Sequence, residues 1–355
     1  MLGLGNLGKK MTAAVLYGKE DVKIEQVPVP RVGDGEVLIK VQVALTCGTD
    51  LKVYRRGYHA RMIVPPALFG HELAGVIEEV GPGVRHFKPG MRVVALNSAP
   101  CQVCFFCKKH LENLCEDLLF NNGAYAEYIR VPRRIVEANM LPIPAHVSFQ
   151  EAAMTEPLAC VLRGLQETGV QIGDTVTVIG GGPIGLMFIQ VAKAIGCDVI
   201  AVVKRDGQVT SAKHMGAAEV VQITKEANPV EAVRAISREQ RGPDVVIEAV
   251  GRPEAWEWAV DMVRKGGTVN FFGGCASGTK VPIDTNRLHY SEITLKATFH
   301  HTPETVRRAL ALIGERKVRP AEYITGEAPL SRLHDVFRHM LTRIGDIKTA
   351  IIPGS

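Results

Sequence analysis

Hydrophobic and polar positions change rhythm twice along the chain. From residue 12 to about 155, short apolar or alternating stretches such as Val37-Leu38-Ile39-Lys40-Val41 and Ala74-Gly75-Val76-Ile77 are cut by Pro28, Pro30, Gly33, Gly35, Gly81-Pro82-Gly83 and Pro89-Gly90. Short strands bounded by turn residues predict a β-rich domain, a partly open barrel. From about 156 to 298, near-continuous apolar runs (DTVTVI, DVIAVV, DVVIEAV, GTVNFFGG, ITLKATF) alternate with helix-length segments. Strands apolar on both faces and separated by helices predict a doubly wound parallel sheet, so the expected fold class is α/β with a second, β-rich domain. Beyond about 299 the pattern predicts a helix over 303–313, a short strand, a helix over 331–341 and a last strand over 348–352.

The longest uncharged stretch, residues 175–192, has the length of a membrane span but the wrong texture. Three consecutive glycines and Pro183 interrupt it, and a β-rich half precedes a helical half, which predicts a buried strand, turn and helix. The first ten residues lack the apolar core of a secretory leader, so a cytoplasmic chain without a membrane segment is expected.

Length suggests about two domains at roughly 150 residues each, since the chain has 355. With 42 Lys+Arg against 37 Asp+Glu the net charge is +5, and no basic block exceeds short pairs such as Lys108-Lys109 and Arg133-Arg134. A nucleic-acid reader would concentrate its positive charge, so that class is disfavoured.

Four of the eight cysteines, Cys101, Cys104, Cys107 and Cys115, fall in fifteen residues with spacing C-x2-C-x2-C-x7-C. Four thiolates on one tight loop suit a tetrahedral structural zinc. An iron–sulfur run would continue with x3-C-P, whereas here the last gap is seven residues and Glu116 follows. Cys160, Cys197 and Cys275 sit in apolar settings and are expected to be inert buried thiols.

The turn Gly180-Gly181-Gly182-Pro183-Ile184-Gly185 satisfies G-x-G-x-x-G, follows a strand over 175–179 and opens a helix over 186–194. Gly180, Gly182, Pro183, Ile184 and Gly185 are therefore candidates for a dinucleotide pyrophosphate, which backbone N–H groups at a helix N-terminus bind. Gly3, Gly5 and Gly8 match the same pattern without a preceding strand and are expected to form a flexible leader. The next strand, over 198–203, ends in Val203-Lys204-Arg205. No carboxylate stands at its end to take a ribose 2′-hydroxyl, and two cations follow, which favours NADP; Asp206, one step on, keeps NAD open. His300-His301 would point to opposite faces of a strand, so a shared ion is not expected.

Gly70-His71-Glu72 after Cys47-Gly48-Thr49-Asp50, the four-cysteine segment, Glu156-Pro157-Leu158-Ala159 and the glycine-rich turn occur in that order. Together they resemble the zinc-containing medium-chain alcohol dehydrogenases, in particular the polyol (sorbitol-like) and threonine dehydrogenase branch, over nearly the whole chain from Met11. The resemblance implies a GroES-like catalytic domain over 1–155, with a structural zinc lobe at 97–118, completed by 299–355, and a Rossmann domain over 156–298 inserted between. It implies two zinc ions per chain. Cys47 and His71 would hold the catalytic one, with Glu72 and Glu156 sharing the remaining contact directly or through water. Thr49 would pass the alcohol proton outward, and Lys348 resembles the tail residue that meets the cofactor's phosphates.

One position departs from that pattern. Five residues after Cys47, where many relatives continue the proton relay with a histidine, this chain has Lys52, a poor shuttle near neutrality. Tyr54, Arg55 and Arg56 are candidates for the substrate mouth. The expected reaction is hydride transfer between a nicotinamide cofactor and a secondary alcohol of a polyol, sugar or cyclitol, or the matching ketone, in a homodimer or homotetramer. A threonine-type amino alcohol dehydrogenase is the alternative. A zinc-free quinone reductase of the same fold should lack Cys47, His71 and Glu156, and a zinc-ribbon binding module should not carry Glu112, Glu116 and Asp117 around its cysteines.

Overall fold

The computed structural model describes residues 8–59, 61–224, 228–342 and 346–354. The amino-terminal glycines Gly3 and Gly5, and Gly345 three residues before Lys348, lie outside the described residues. The chain divides into two compact units: one runs to Ala159 and resumes at Thr302, the other is Cys160–His301.

The first unit is built around strand Val37–Leu45, which has alternating β-branched and aliphatic residues and leaves only Lys40 fully exposed. It pairs antiparallel with Glu72–Val80, with Tyr128–Val131 and with the tail strand Lys348–Ile352. Burial on both faces explains why nearly every position is apolar. The tail is thus stitched into the sheet made by the amino-terminal part, and Ile351, Leu330, Leu333 and Phe337 share one core with Ile39, Val41, Tyr125 and Ile129. Two-residue strands Ser98–Ala99 and Leu119–Phe120 pair and close the neck of the cysteine-bearing loop.

In the second unit, parallel strands beginning at Glu219, Asp198, Thr175, Val245, Thr268 and Thr294 lie side by side in that order. This is the doubly wound arrangement, whose order reverses beside Thr175–Ile179, the strand that feeds the glycine-rich turn. Helix Pro183–Ile195 follows and starts three residues earlier than its apolar run indicates, because proline is tolerated in a first turn whose N–H groups lack intrahelical partners. Among the described residues, no helix is long and apolar enough to cross a membrane.

Two expectations change for local reasons. The helix expected over 331–341 opens with a separate 3-10 turn, Leu330–Arg332, before Leu333–Thr342. His300 and His301 do not continue a strand: Thr294–Ala297 ends before them, His300 adopts φ +63°, and the two rings stand 4.0 Å apart. A left-handed residue breaks the two-residue alternation on which the opposite-face argument depended.

Candidate functional site

Strand pairing gathers the candidate ligands of the first unit. Leu45 lies opposite Glu72, so Cys47, two residues past Leu45, comes beside His71 and Glu72 at the start of the partner strand. Their donor atoms all lie within 4.8 Å of one another. Cys47 caps helix Gly48–Arg56, where its sulfur accepts from the Thr49 backbone N–H at 3.4 Å. A thiolate, an imidazole and a carboxylate so converged are a donor set that suits zinc.

His71 is 4 % exposed, and its Nδ1 meets Asp50 Oδ1 at 2.8 Å. A carboxylate can only accept, so Nδ1 carries the proton and Nε2 is left for a metal. Burial disfavours charge on this ring, but Asp50, then Cys47, outweigh burial and hold its pKa well above the usual histidine value.

The ammonium of Lys348 is buried and reaches both carboxylate oxygens of Glu72, at 2.9 and 2.7 Å. The register accounts for this contact: Ala350 pairs with Leu45, which brings the start of the tail strand onto the Cys47–Glu72 cluster. Glu156, 7 % exposed in the same unit, has its carboxyl pushed up to about 7, by burial first, with Glu72 adding to the rise and His71 and Lys348 opposing it. Tyr54 departs from expectation: it is a core residue stacked on Phe337 at 5.2 Å. Arg55, Arg56 and Lys52 on the same helix are exposed. The sequence reading missed Asp50 as the partner of His71, although its place in the helix capped by Cys47 was a usable signal. It missed Tyr125, which meets Asp50 from a distant loop, because no sequence spacing marks such a contact.

The four-cysteine loop has the dimensions of a tetrahedral thiolate site. Sulfur–sulfur separations are 3.5 Å for Cys104–Cys107, 3.9 Å for Cys104–Cys115 and 4.0 Å for Cys101–Cys107. Zinc–thiolate bonds of about 2.3 Å in a tetrahedron require edges of about 3.8 Å. Backbone N–H groups of Cys107, then Glu116, lower the Cys104 thiol to about 6, while burial lifts Cys107 to about 12. Among the other cysteines, Cys160 and Cys197 are buried as expected and burial raises the Cys197 thiol to about 11. Cys275 is only half-buried, which corrects its reading as a core thiol.

In the second unit the glycine-rich turn is shaped by close approach. A Cβ on Gly185 would lie 1.9 Å from the Gly180 carbonyl oxygen, and Gly180 itself has φ +124°. Gly182 caps the helix, with Pro183 and Ile184 in its first turn, so unpaired N–H groups face outward beside the turn. A Cβ on Gly181 would meet Val203 and Gln208, which places the end of the second strand against the turn. There Lys204 and Arg205 are exposed, both backbone N–H groups are taken by Gln208 Oε1 at 3.2 Å, and Asp206 Oδ1 accepts from Gln222 at 2.7 Å.

Comparison with known proteins agrees with this geometry. Residues 33–144 match the alcohol dehydrogenase GroES-like domain, and residues 183–315 the family described as zinc-binding dehydrogenase. The chain is 32 % identical to sorbitol dehydrogenase of Bacillus subtilis, covering 94 % of each chain. It is 33 % identical to L-threonine 3-dehydrogenase of Bacillus licheniformis, covering 95 % of this chain and 96 % of that one. A zinc-binding dehydrogenase from Sinorhizobium meliloti solved bound to NADP superposes with a TM-score of 0.89 at 30 % identity, over 97 % of this chain and all of that one. With GroES-like and Rossmann units, a Cys–His–Glu cluster and a four-cysteine lobe, the chain belongs to the zinc-containing medium-chain alcohol dehydrogenases.

Proposed function

We propose that this alcohol dehydrogenase interconverts a secondary alcohol of a polyol, sugar or cyclitol with its ketone, using NADP and two zinc ions per chain. The carrying observation is the Cys47–His71–Glu72 cluster, in which His71 and Glu72 are buried and Cys47 half-buried, with Glu156 in the same unit, where a second thiolate would make a softer, less polar site. When bound, the metal supplies a Lewis acid for a substrate oxygen and the nicotinamide supplies the hydride acceptor. Cys47 and His71 would hold that metal, with Glu72 and Glu156 as carboxylate partners. Asp50 keeps the His71 proton on Nδ1, and Thr49 Oγ1, in the first turn behind Cys47, would take the substrate proton. The amides of the Gly180–Gly185 turn would bind the pyrophosphate, with Lys204 and Arg205 beside Val203 for the 2′-phosphate. None of the eight cysteines forms a disulfide, which supports a reducing, cytoplasmic setting. The outer strand Thr294–Ala297 has an open edge among the described residues, which supports assembly into a homodimer or homotetramer.

Substrate polarity tests the reading. A carboxylate accepts several hydrogen bonds, so a vicinal diol can place one hydroxyl on the metal and the next on an acidic side chain, whereas ethanol leaves that acceptor to water. Catalytic efficiency for a polyol or vicinal diol should exceed that for a primary alcohol at least tenfold, or about 1.4 kcal/mol. Steady-state kinetics that place ethanol or butanol above the polyols overturn the substrate class. A preference for threonine within the same panel replaces it with the amino alcohol.

A further inference from the structure

Behind the metal donors lies a layer of polar contacts that extends past the Asp50–His71 pair. Asp50, 2 % exposed, gives Oδ1 to His71, and its Oδ2 accepts from the Tyr125 hydroxyl at 2.6 Å. That hydroxyl has one proton and a second acceptor in reach, the Leu45 carbonyl oxygen at 3.1 Å. The shorter contact and the negative charge commit the proton to Asp50. Burial, then the Asp50 charge, hold the phenol protonated and able to donate.

The ring is fixed as firmly as the hydroxyl. Tyr125 is fully buried, edge-on to Phe69 and to Phe337 with centroids 5.8 and 6.1 Å away. A Cβ on Gly70 would lie 2.6 Å from its Cδ2, and Gly70 has φ +89°, so the residue before His71 is a glycine that lets the ring pass. Its backbone N–H binds the Phe69 carbonyl at 2.9 Å. The tyrosine therefore touches both segments that carry ligands, through Leu45 on the Cys47 side and through Phe69 and Gly70 on the His71 side.

We infer that Tyr125 is a positioning residue for His71: through Asp50, its hydroxyl fixes the imidazole plane that presents Nε2 to the metal. A carboxylate held by one donor can turn about its own axis and carry the Nδ1 contact with it. Donors on both oxygens remove that freedom. Without the hydroxyl, a buried carboxylate oxygen loses its donor, and the contact to His71 must share the loss. Partners of this outer kind change metal affinity by about 10- to 100-fold.

The inference rests on the metal-site reading above, and one titration separates the two. The full chain, with its cysteine lobe zinc-loaded, is titrated with cobalt(II) against a chromophoric chelator while the thiolate-to-cobalt and d–d absorption bands are recorded. Tyr125→Phe keeps the ring and should weaken cobalt binding about tenfold and shift the d–d bands. Asp50→Asn should weaken it further. Phe337→Leu thins the same ring cluster without touching Asp50, and should lower the melting temperature while leaving affinity and spectrum unchanged. Equal affinity and spectrum in wild type and Tyr125→Phe overturn the positioning role alone. Equal losses in Phe337→Leu and Tyr125→Phe overturn it as well, by showing that packing rather than the hydroxyl is at work. A wild-type chain that takes up no cobalt overturns the metal site and this inference together.

Discussion

The two candidate metal clusters of the first unit are assembled in opposite ways. The cysteine lobe draws four donors from residues 101–115, and short-range backbone contacts shape it: Cys101 N–H reaches Cys115 sulfur at 3.2 Å and Cys104 N–H reaches Cys101 sulfur at 3.3 Å. The Cys47–His71–Glu72 cluster exists only because Leu45 pairs with Glu72 on one side and with Ala350 on the other. The lobe has little apolar material of its own, with Val103 and Phe105 largely exposed. A segment that cannot bury a core needs its ion to fold, whereas a site framed by a sheet is in place before the ion arrives.

The sharpest way to break that contrast is to remove one thiolate from each cluster. Cys47→Ser should abolish activity, by 10³-fold or more, while shifting the melting temperature little, because the surrounding strands do not depend on the metal. Cys104→Ser should release zinc from the lobe and lower stability by several kcal/mol, since structural zinc contributes folding free energy directly. Activity assays, elemental analysis and thermal unfolding check both arms. Full activity in Cys47→Ser, or an unchanged melting temperature in Cys104→Ser, removes the distinction.

The next effect is one of stability and concerns Lys348. Its pair with Glu72 is buried at both ends, with side-chain exposures of 2 % and 0 %. Burial disfavours the ammonium, but Glu72 first, then Cys47, more than compensate, and the pKa is raised. Removing one partner of such a pair leaves an uncompensated buried charge, at a cost of about 3–5 kcal/mol, whereas replacing both with apolar groups can be near neutral. Lys348→Met in the metal-stripped chain should therefore be strongly destabilised against urea, and Lys348→Met with Glu72→Leu should recover most of the loss. A double variant no more stable than the single one contradicts the pairing.

The convergence of the four lobe sulfurs was legible in the sequence because the cysteines are neighbours in the chain at a spacing that suits a tetrahedral site. The glycine-rich turn was legible for a related reason, since Gly180 and Gly185 meet backbone within a single turn of chain. His71 and Cys47 could be read only through the resemblance that joins them, as neither spacing nor periodicity shows that Leu45 and Glu72 are opposite. The pairing of Lys348 with Glu72 was not legible, because it depends on the tail strand's register against Leu45. Tyr54 was read from proximity to Cys47 in sequence, but a helix sends adjacent residues in different directions, and its ring faces Phe337 instead. Tyr125 and Asp50 form a contact between distant segments, for which the chain carries no local code.

Cofactor choice carries the smallest expected effect, because its residues lie at the surface. At the end of strand Asp198–Val203 three side chains could decide between a ribose hydroxyl and a ribose phosphate. Asp206 is the candidate acceptor for NAD, but its Oδ1 already accepts from Gln222 at 2.7 Å, and it opens the first turn of helix Asp206–His214. A hydroxyl would have to compete with that contact. Lys204 and Arg205 have their backbone N–H groups tied to Gln208, which holds the turn while both side chains remain exposed. Each charge-assisted contact to a phosphate is worth about 1.5–3 kcal/mol, and exposure pushes the value to the low end. Lys204→Ala with Arg205→Ala should raise KM for NADP at least tenfold and leave KM for NAD within about twofold, since NAD offers nothing for the cations to bind. The NADP effect should also shrink with added salt, because surface charges are screened over about 8 Å at physiological ionic strength. Equal changes for both cofactors, or a wild-type preference for NAD, would assign the strand end to Asp206 instead.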